Sequence, residues 1–305
     1  MKFNGVYIAP VTPVLESGKI DWKRYEELLA FLLEKDVDGF CIGGGTSEYV
    51  HFSADERKKL FETACRLTPE GKRIFAAVGA SSFERAMDLG RYADELGVDA
   101  VLLPMPHFFI YEQSDLEEFC RQVARGLESP VILYNLPFFT NPLDYETSAR
   151  LLLEEPGIAG IKDSSGEADR FERYVKDLAE KPGKEVSLLI GQDPFAFDAL
   201  KSGWDGIISG LGTLCPELLV CLRSSFSRGD LETSQMCQQI IRDMNSHISA
   251  LPVPWAIRFG LECRGLDCGS ASLPLSPQRQ KQKKEFQAWF EKWLENYSNV
   301  WQDYS

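Results

Sequence analysis

The chain has 305 residues, 44% of them hydrophobic and 26% charged, which suits one large α/β barrel or two smaller domains of an ordinary globular protein. With 33 Lys and Arg against 46 Asp and Glu, the net charge is −13; such a surface repels phosphate backbones and anionic lipid, which excludes nucleic-acid or membrane binding as the main task. The N-terminus lacks the apolar stretch of a signal peptide and no apolar run reaches membrane-spanning length, so a cytoplasmic protein is expected.

The chain alternates short apolar runs with amphipathic stretches. Val6 to Ala9 is followed by a helix from Asp21 to Lys35, with Asp21 as N-cap. Gly39 to Ile42 leads into Gly43-Gly44-Gly45, and Ser53-Ala54-Asp55-Glu56 reads as a capping box that opens the next helix. Ile74 to Val78 precedes a helix over 82–96, Ala100 to Leu103 one over 114–127, and Val131 to Tyr134 one over 144–153. Ile158 to Lys162 precedes a helix over 168–178, Val186 to Ile190 one over 194–202, and Gly206 to Ile208 one over 215–226. The runs are continuously apolar, as parallel strands buried on both faces require. Eight such units favour a closed (β/α)8 TIM barrel, and no GxGxxG opens a helix to support an open dinucleotide-binding sheet.

The rhythm stops near residue 229. Helices are expected over 230–251, 253–264 and 276–297, giving a catalytic barrel over 1–228 and a C-terminal helical extension over 229–305. Arg279 to Lys284 reads as a solvated helix face. The eight cysteines form no CxxC pair and mostly lie in apolar or helical stretches, so they are expected to be reduced and to pack as small hydrophobes. The three histidines, His51, His107 and His247, are too scattered to read as a metal site.

In a barrel of this kind the chemistry lies at the C-terminal ends of the strands. Lys162 ends the apolar run of the sixth strand. Burial disfavours an ammonium, and a neutral amine adds to a ketone to form an iminium, an electron sink for bond cleavage at the adjacent carbon. Against this stands a strand-end lysine that merely snorkels to solvent. Tyr134 ends the neighbouring fifth strand, where a phenol can shuttle protons or simply serve as a core residue. Gly43-Gly44-Gly45-Thr46 can aim backbone N–H groups and a hydroxyl at a carboxylate, or form only a tight turn.

Three motifs in order, each at a strand end, resemble the dihydrodipicolinate synthase / N-acetylneuraminate lyase family of pyruvate-type aldolases. Gly44 to Glu48 is similar to its G-[TS]-T-G-E, Tyr134-Asn135-Leu136-Pro137 to Y-N-x-P, and Gly160-Ile161-Lys162-Asp163 to G-[IV]-K-[DE]. The resemblance runs from Gly5 to the helical tail. It implies that Lys162 forms the Schiff base and that Tyr134 is the acid/base residue. Gly45, Thr46 and Ser47 fall in the carboxylate-binding motif, Ile208 would line the pyruvate site through its backbone, and Asp193 falls where sugar-acid aldolases bind acceptor hydroxyls. No metal or organic cofactor is implied, since the lysine supplies the electron sink. A homotetramer, a dimer of dimers, is.

The departures narrow the reading. The family's relay hydroxyl before Thr46 is replaced by Gly45, and its second tyrosine falls at Phe108 unless the alignment slips by one. Ser47, His107, Tyr111 or a water are the substitutes on offer. No arginine follows Tyr134-Asn135-Leu136-Pro137; the stretch is Phe138-Phe139-Thr140, which disfavours an acceptor with a charged tail. The leading expectation is a Schiff-base lyase or aldolase that acts on pyruvate and an aldehyde, with a 2-oxo-3-deoxy sugar acid as the joined compound. A dehydratase of a deoxy-keto sugar acid on the same lysine, a dihydrodipicolinate synthase, and a non-catalytic 2-oxo-acid-binding relative are the alternatives.

Overall fold

A computed structural model describes residues 2–180 and 183–304. Eight parallel strands, β1 to β8, close into a barrel in sequence order, with β1 also paired to β8. They span Gly5–Ile8, Gly39–Ile42, Arg73–Ala77, Ala100–Pro104, Val131–Asn135, Ile158–Asp163, Ser187–Ile190 and Gly206–Ser209. Helices α1 to α8 follow them in turn: Trp22–Leu33, Ala54–Leu67, Phe83–Leu96, Gln113–Gly126, Tyr145–Glu154, Asp169–Ala179, Ala196–Lys201 and Pro216–Ser227. Three more, α9 (Leu231–Ile248), α10 (Val253–Cys263) and α11 (Pro277–Tyr297), complete the chain. The TIM barrel read from the sequence is therefore correct.

Local chemistry explains the boundaries. Asp21 accepts from the Arg24 amide at the start of α1, and Ser53 and Glu56 form the reciprocal capping box of α2. The helix expected over 194–202 is shorter: Pro194 lies in a 3-10 turn, Asp193–Phe195, and the α-helical part begins at Ala196. A repeated aspartate starts the strands in register. Asp38, Asp99 and Asp205 each accept, with a side-chain oxygen, the first free amide of the strand beside their own: Val6 at 2.7 Å, Ile74 at 2.8 Å and Leu188 at 2.9 Å. Strand amides at the barrel's closed end thus find partners where the ladder runs out.

The core has two layers. Tyr7, Cys41, Phe75, Leu102, Ile132, Leu189 and Ile208 fill the barrel interior, with Tyr134 and Leu136 above them. A larger apolar layer joins the outer strand faces to the helices and extends through α9, α10 and α11. The cysteines are all unpaired; six are buried and Cys65 and Cys263 are half-buried. Among the described residues no helix is long and apolar enough to cross a membrane.

Candidate active site

The fifth and sixth strands pair so that Tyr134 lies beside Lys162 and Asn135 beside Asp163. Lys162 is only 4% exposed and Tyr134 only 5%. The lysine amine does not snorkel outward: Nζ lies over the Tyr134 ring, 4.0 Å from its centroid. Glycine makes this path possible. A Cβ on Gly191, at the end of β7, would stand 2.6 Å from Lys162 Cε and 2.1 Å from Ser164 Oγ, so any side chain there would displace the lysine.

The residues after the paired side chains lock the strand ends. The Asn135 amide donates to Asp163 Oδ2 at 3.0 Å, and its carbonyl oxygen accepts from the Leu143 amide at 3.1 Å. Asp163 Oδ1 accepts from the Ser165 amide at 2.7 Å and its hydroxyl at 2.5 Å. Arg170 approaches the same carboxylate at 3.6 Å. Every member of this network is buried or half-buried, and the groups that point Tyr134 and Lys162 are fully partnered.

Above this floor opens a cavity of about 500 Å3. Gly45 and Thr46 form one wall, with Tyr49 and His107 beside Tyr134; Leu136, Phe138, Phe139 and Thr140 form the second, and Ser164, Gly191 and Gln192 the third. Pro252, Val253 and Pro254, from the approach to α10, close the fourth. Among the described residues no Lys or Arg side chain lines it. Lys162 lies just under the floor, covered by Tyr134 and Gly191. A larger cavity, about 670 Å3, lies on the far side of Glu48 and Arg258 and does not reach Tyr134.

The glycine segment keeps part of the geometry expected of a carboxylate cradle. Of its three glycines only Gly43 has a positive φ, 73°. Among the described residues the Gly45 and Thr46 amides donate to no other group. The Thr46 side chain packs over Gly210, at the end of β8. The turn is held from behind by Glu48, itself left-handed with φ 57°, whose carboxylate pairs with the buried Arg258 of α10. Arg258 also donates to the Thr12 carbonyl at 2.8 Å and to the Ser270 carbonyl at 2.5 Å.

Other residues singled out in the sequence lie off the cavity. The Ser47 hydroxyl is tied to Thr12 Oγ1 at 2.5 Å, toward the β1 loop. Ile208 is fully buried in the barrel interior beneath the cavity. Asp193 is buried and directed toward Ser209 and the Leu211 amide rather than into the cavity; the adjacent Gln192 occupies the wall instead. Burial raises the Asp193 carboxyl to about 6, against the opposing pull of Ser209, Leu211 and the Lys162 charge. Tyr111 sits at the rim, its amide bonded to Asn141 Oδ1 at 2.9 Å. Phe108 has φ 82° and points to solvent.

Sequence reasoning gave no role to Tyr49, Gln192 or the Pro252 segment. Tyr49 stands directly after the glycine motif, a signal that could have been weighed. The Pro252 segment could not have been placed, because its position depends on how α9 returns to the barrel.

Known proteins are similar to this chain over nearly its whole length. The dihydrodipicolinate synthetase family matches residues 2–292. The 4-hydroxy-tetrahydrodipicolinate synthase of Bacillus subtilis (strain 168) is 27% identical over 284 residues, 93% of this chain and 97% of that protein. The probable 2-dehydro-3-deoxy-D-pentonate aldolase YjhH of Escherichia coli (strain K12) is 28% identical over 288 residues, 93% of this chain and 95% of that one. The solved structure of the 4-hydroxy-tetrahydrodipicolinate synthase from Methylacidiphilum fumariolicum SolV superposes with a TM-score of 0.86 at 26% identity, covering 98% of this chain and 99% of that one. A matching motif order, the same closed barrel and a match over nearly the whole length lead to one assignment: the chain belongs to the dihydrodipicolinate synthetase family.

Proposed function

We propose that the protein is a class I lyase that cleaves or forms a carbon–carbon bond next to an iminium on Lys162. The observation that carries this reading is the buried amine, 4.0 Å from the centre of the Tyr134 ring, beneath a cavity with free backbone amides on one wall. The neutral amine adds to the ketone of a 2-oxo acid, and the carbinolamine loses water to give the iminium. In the cleavage direction Tyr134 takes the proton of the C4 hydroxyl. The C3–C4 electron pair moves toward the iminium nitrogen, C4 leaves as an aldehyde, and an enamine remains. Protonation at C3 and hydrolysis then return the amine and release pyruvate. The amides of Gly45 and Thr46 hold the carboxylate.

The joined compound is a 2-oxo-3-deoxy sugar acid, cleaved to pyruvate and a neutral hydroxyaldehyde. Thr140, Ser164, Gln192 and His107 offer hydrogen-bonding groups around the cavity, and the similarity to the E. coli pentonate aldolase supports the same class. The names of the synthase relatives favour dihydrodipicolinate formation as a second reading. That reaction joins a second carboxylate, and the wall formed by Phe138 and Phe139 brings no cation to pair with it. Asp193 contributes from beneath, through its charge on Lys162, rather than by touching acceptor hydroxyls. Ser47 supports the cradle through Thr12, and Ile208 supports the floor. The exposed cluster of Phe108, Phe109 and Ile110 fits a surface covered by a second copy of the chain, in keeping with a homo-oligomer.

The test is to add pyruvate and borohydride and weigh the intact protein. A reduced adduct that disappears in Lys162→Ala is expected; its absence from the wild type overturns the reading. Incubation with 2-oxo-3-deoxy sugar acids then separates lyase from dehydratase, because only the former yields pyruvate and an aldehyde.

A further inference from the structure

The cavity wall at Gln192 is seated from outside by α9. The Gln238 side-chain amide donates to the Asp193 carbonyl at 3.1 Å, and its oxygen accepts from the Phe197 amide at 2.6 Å. One turn further along, Arg242 donates to the Pro194 carbonyl at 3.0 Å and to the Asp198 carboxylate at 2.7 Å. The turn that follows β7, and Gln192 at its start, therefore sits where α9 puts it.

What holds α9 in turn is α8. Arg228-Gly229-Asp230 joins the two helices, and the chain folds back on itself there. The Asp230 amide donates to the Ser225 carbonyl at 3.0 Å, and the Ser234 hydroxyl to the Leu222 carbonyl at 2.9 Å. Six residues before the end of α8 at Ser227 and six after the start of α9 at Leu231, Cys221 and Cys237 meet. Their sulfurs are 3.1 Å apart and both residues are fully buried. That is closer than Cys120 Sγ and Met105 Sδ, which touch at 3.6 Å. A disulfide needs sulfurs about 2.0 Å apart, so roughly 1 Å of closure separates the thiols from a bond.

The two thiols are unequal. The Cys237 S–H donates to the Cys221 sulfur. This contact draws the Cys221 thiol below the usual cysteine range against its burial, and it holds Cys237 far above that range. Cys221 is thus the nucleophile of the pair and Cys237 the thiol that resolves it.

We propose that Cys221 and Cys237 form an oxidation-sensitive pair, which a hydroperoxide converts to a disulfide that clamps α9 on α8 and holds Gln238 beneath the cavity wall. The pair does not depend on the Lys162 chemistry. The Cys221 sulfur attacks one peroxide oxygen as the O–O bond breaks. The leaving hydroxide takes the Cys221 proton and departs as water, and a sulfenic acid remains. The Cys237 sulfur then attacks Cys221 Sγ. The S–O bond breaks, and that hydroxide takes the Cys237 proton as a second water. The two thiols lose two electrons in all, and one hydrogen peroxide is reduced to two waters. A dithiol reductant reverses the bond by exchange.

The experiment treats the native chain with limiting hydrogen peroxide, blocks the remaining thiols with iodoacetamide and digests without reduction. A cross-linked peptide that joins Cys221 to Cys237 is expected. Before blocking, the intact mass should fall by about 2 Da, the two hydrogens lost in forming a disulfide. The thiols that titrate in denaturant should fall from eight to six. The cross-link should form before Cys65 and Cys263 react, although those two are the more exposed. Backbone hydrogen exchange at Phe197 should slow several-fold in the oxidised chain and recover with dithiothreitol. Cys237→Ser should give no cross-link and the same Phe197 exchange with and without peroxide; Cys221→Ala is the companion variant if Cys237→Ser does not fold. Oxidation confined to Cys65 and Cys263, or a cross-link that appears only in denaturant, overturns the pair. A native cross-link with Phe197 exchange unchanged overturns the clamp.

Discussion

The Asn135 amide donates to the Asp163 carboxylate across 3.0 Å, one residue beyond the pairing of Tyr134 with Lys162. The two residues proposed to carry the chemistry are thus aimed by the two that follow them. Asn135 also satisfies the Leu143 amide at the start of the next segment. Replacing Asn135 by Ala removes a donor from a buried carboxylate and an acceptor from a buried amide. At about 1–3 kcal/mol for each of the two buried groups left unsatisfied, destabilisation of roughly 2–6 kcal/mol is expected in chemical denaturation. Borohydride trapping should slow in the same variant, since the strand ends no longer fix the amine against the phenol. A variant as stable as the wild type would show that the network does not hold the strand ends.

The Glu48–Arg258 pair ties the glycine turn to α10, so the C-terminal helices stabilise the turn proposed to hold the carboxylate. Arg258 is fully buried and donates to the Thr12 and Ser270 carbonyls as well as to Glu48. Arg258→Leu strands a carboxylate and two carbonyls, and about 3–5 kcal/mol of stability should be lost. Glu48→Gln in addition should cost little more, because the uncompensated charge has already been created. The double variant should therefore lie well short of the sum of the singles. Additive unfolding free energies would show that the two residues stabilise the fold independently.

The barrel was legible because each strand is a continuous apolar run and the repeated aspartate marks where strands begin. Lys162 and Tyr134 were legible because a polar residue that ends such a run is placed at the barrel mouth by the strand itself. Asp193 was not. Its side-chain direction is decided by the turn at Pro194, which swings the carboxylate toward Ser209 and leaves Gln192 on the cavity wall. The sequence reading gave Tyr49 no role, although it stands next to the glycine motif. Its place follows from the left-handed turn at Glu48 and from the slot at Gly79, two features more than 30 positions apart in the chain.

The Asp193 carboxylate has one oxygen, Oδ1, without a hydrogen-bond partner, and burial raises its folded pKa to about 6. An unfolded aspartate titrates near 3.9. Between these values the native state binds the extra proton, so stability falls as pH rises through the window. Below it both states are protonated and there is no penalty; above it the folded protein carries the full cost, on the order of 3 kcal/mol. Asp193→Asn keeps the shape without the charge. It should raise the unfolding midpoint at pH 8, and the gain over wild type should shrink to nothing by pH 4. A gain that is the same at both pH values would assign the effect to packing. A loss at pH 8 would mean that the ionised carboxylate is stabilised in the fold, by Ser209, Leu211 and the Lys162 charge together, more than burial disfavours it.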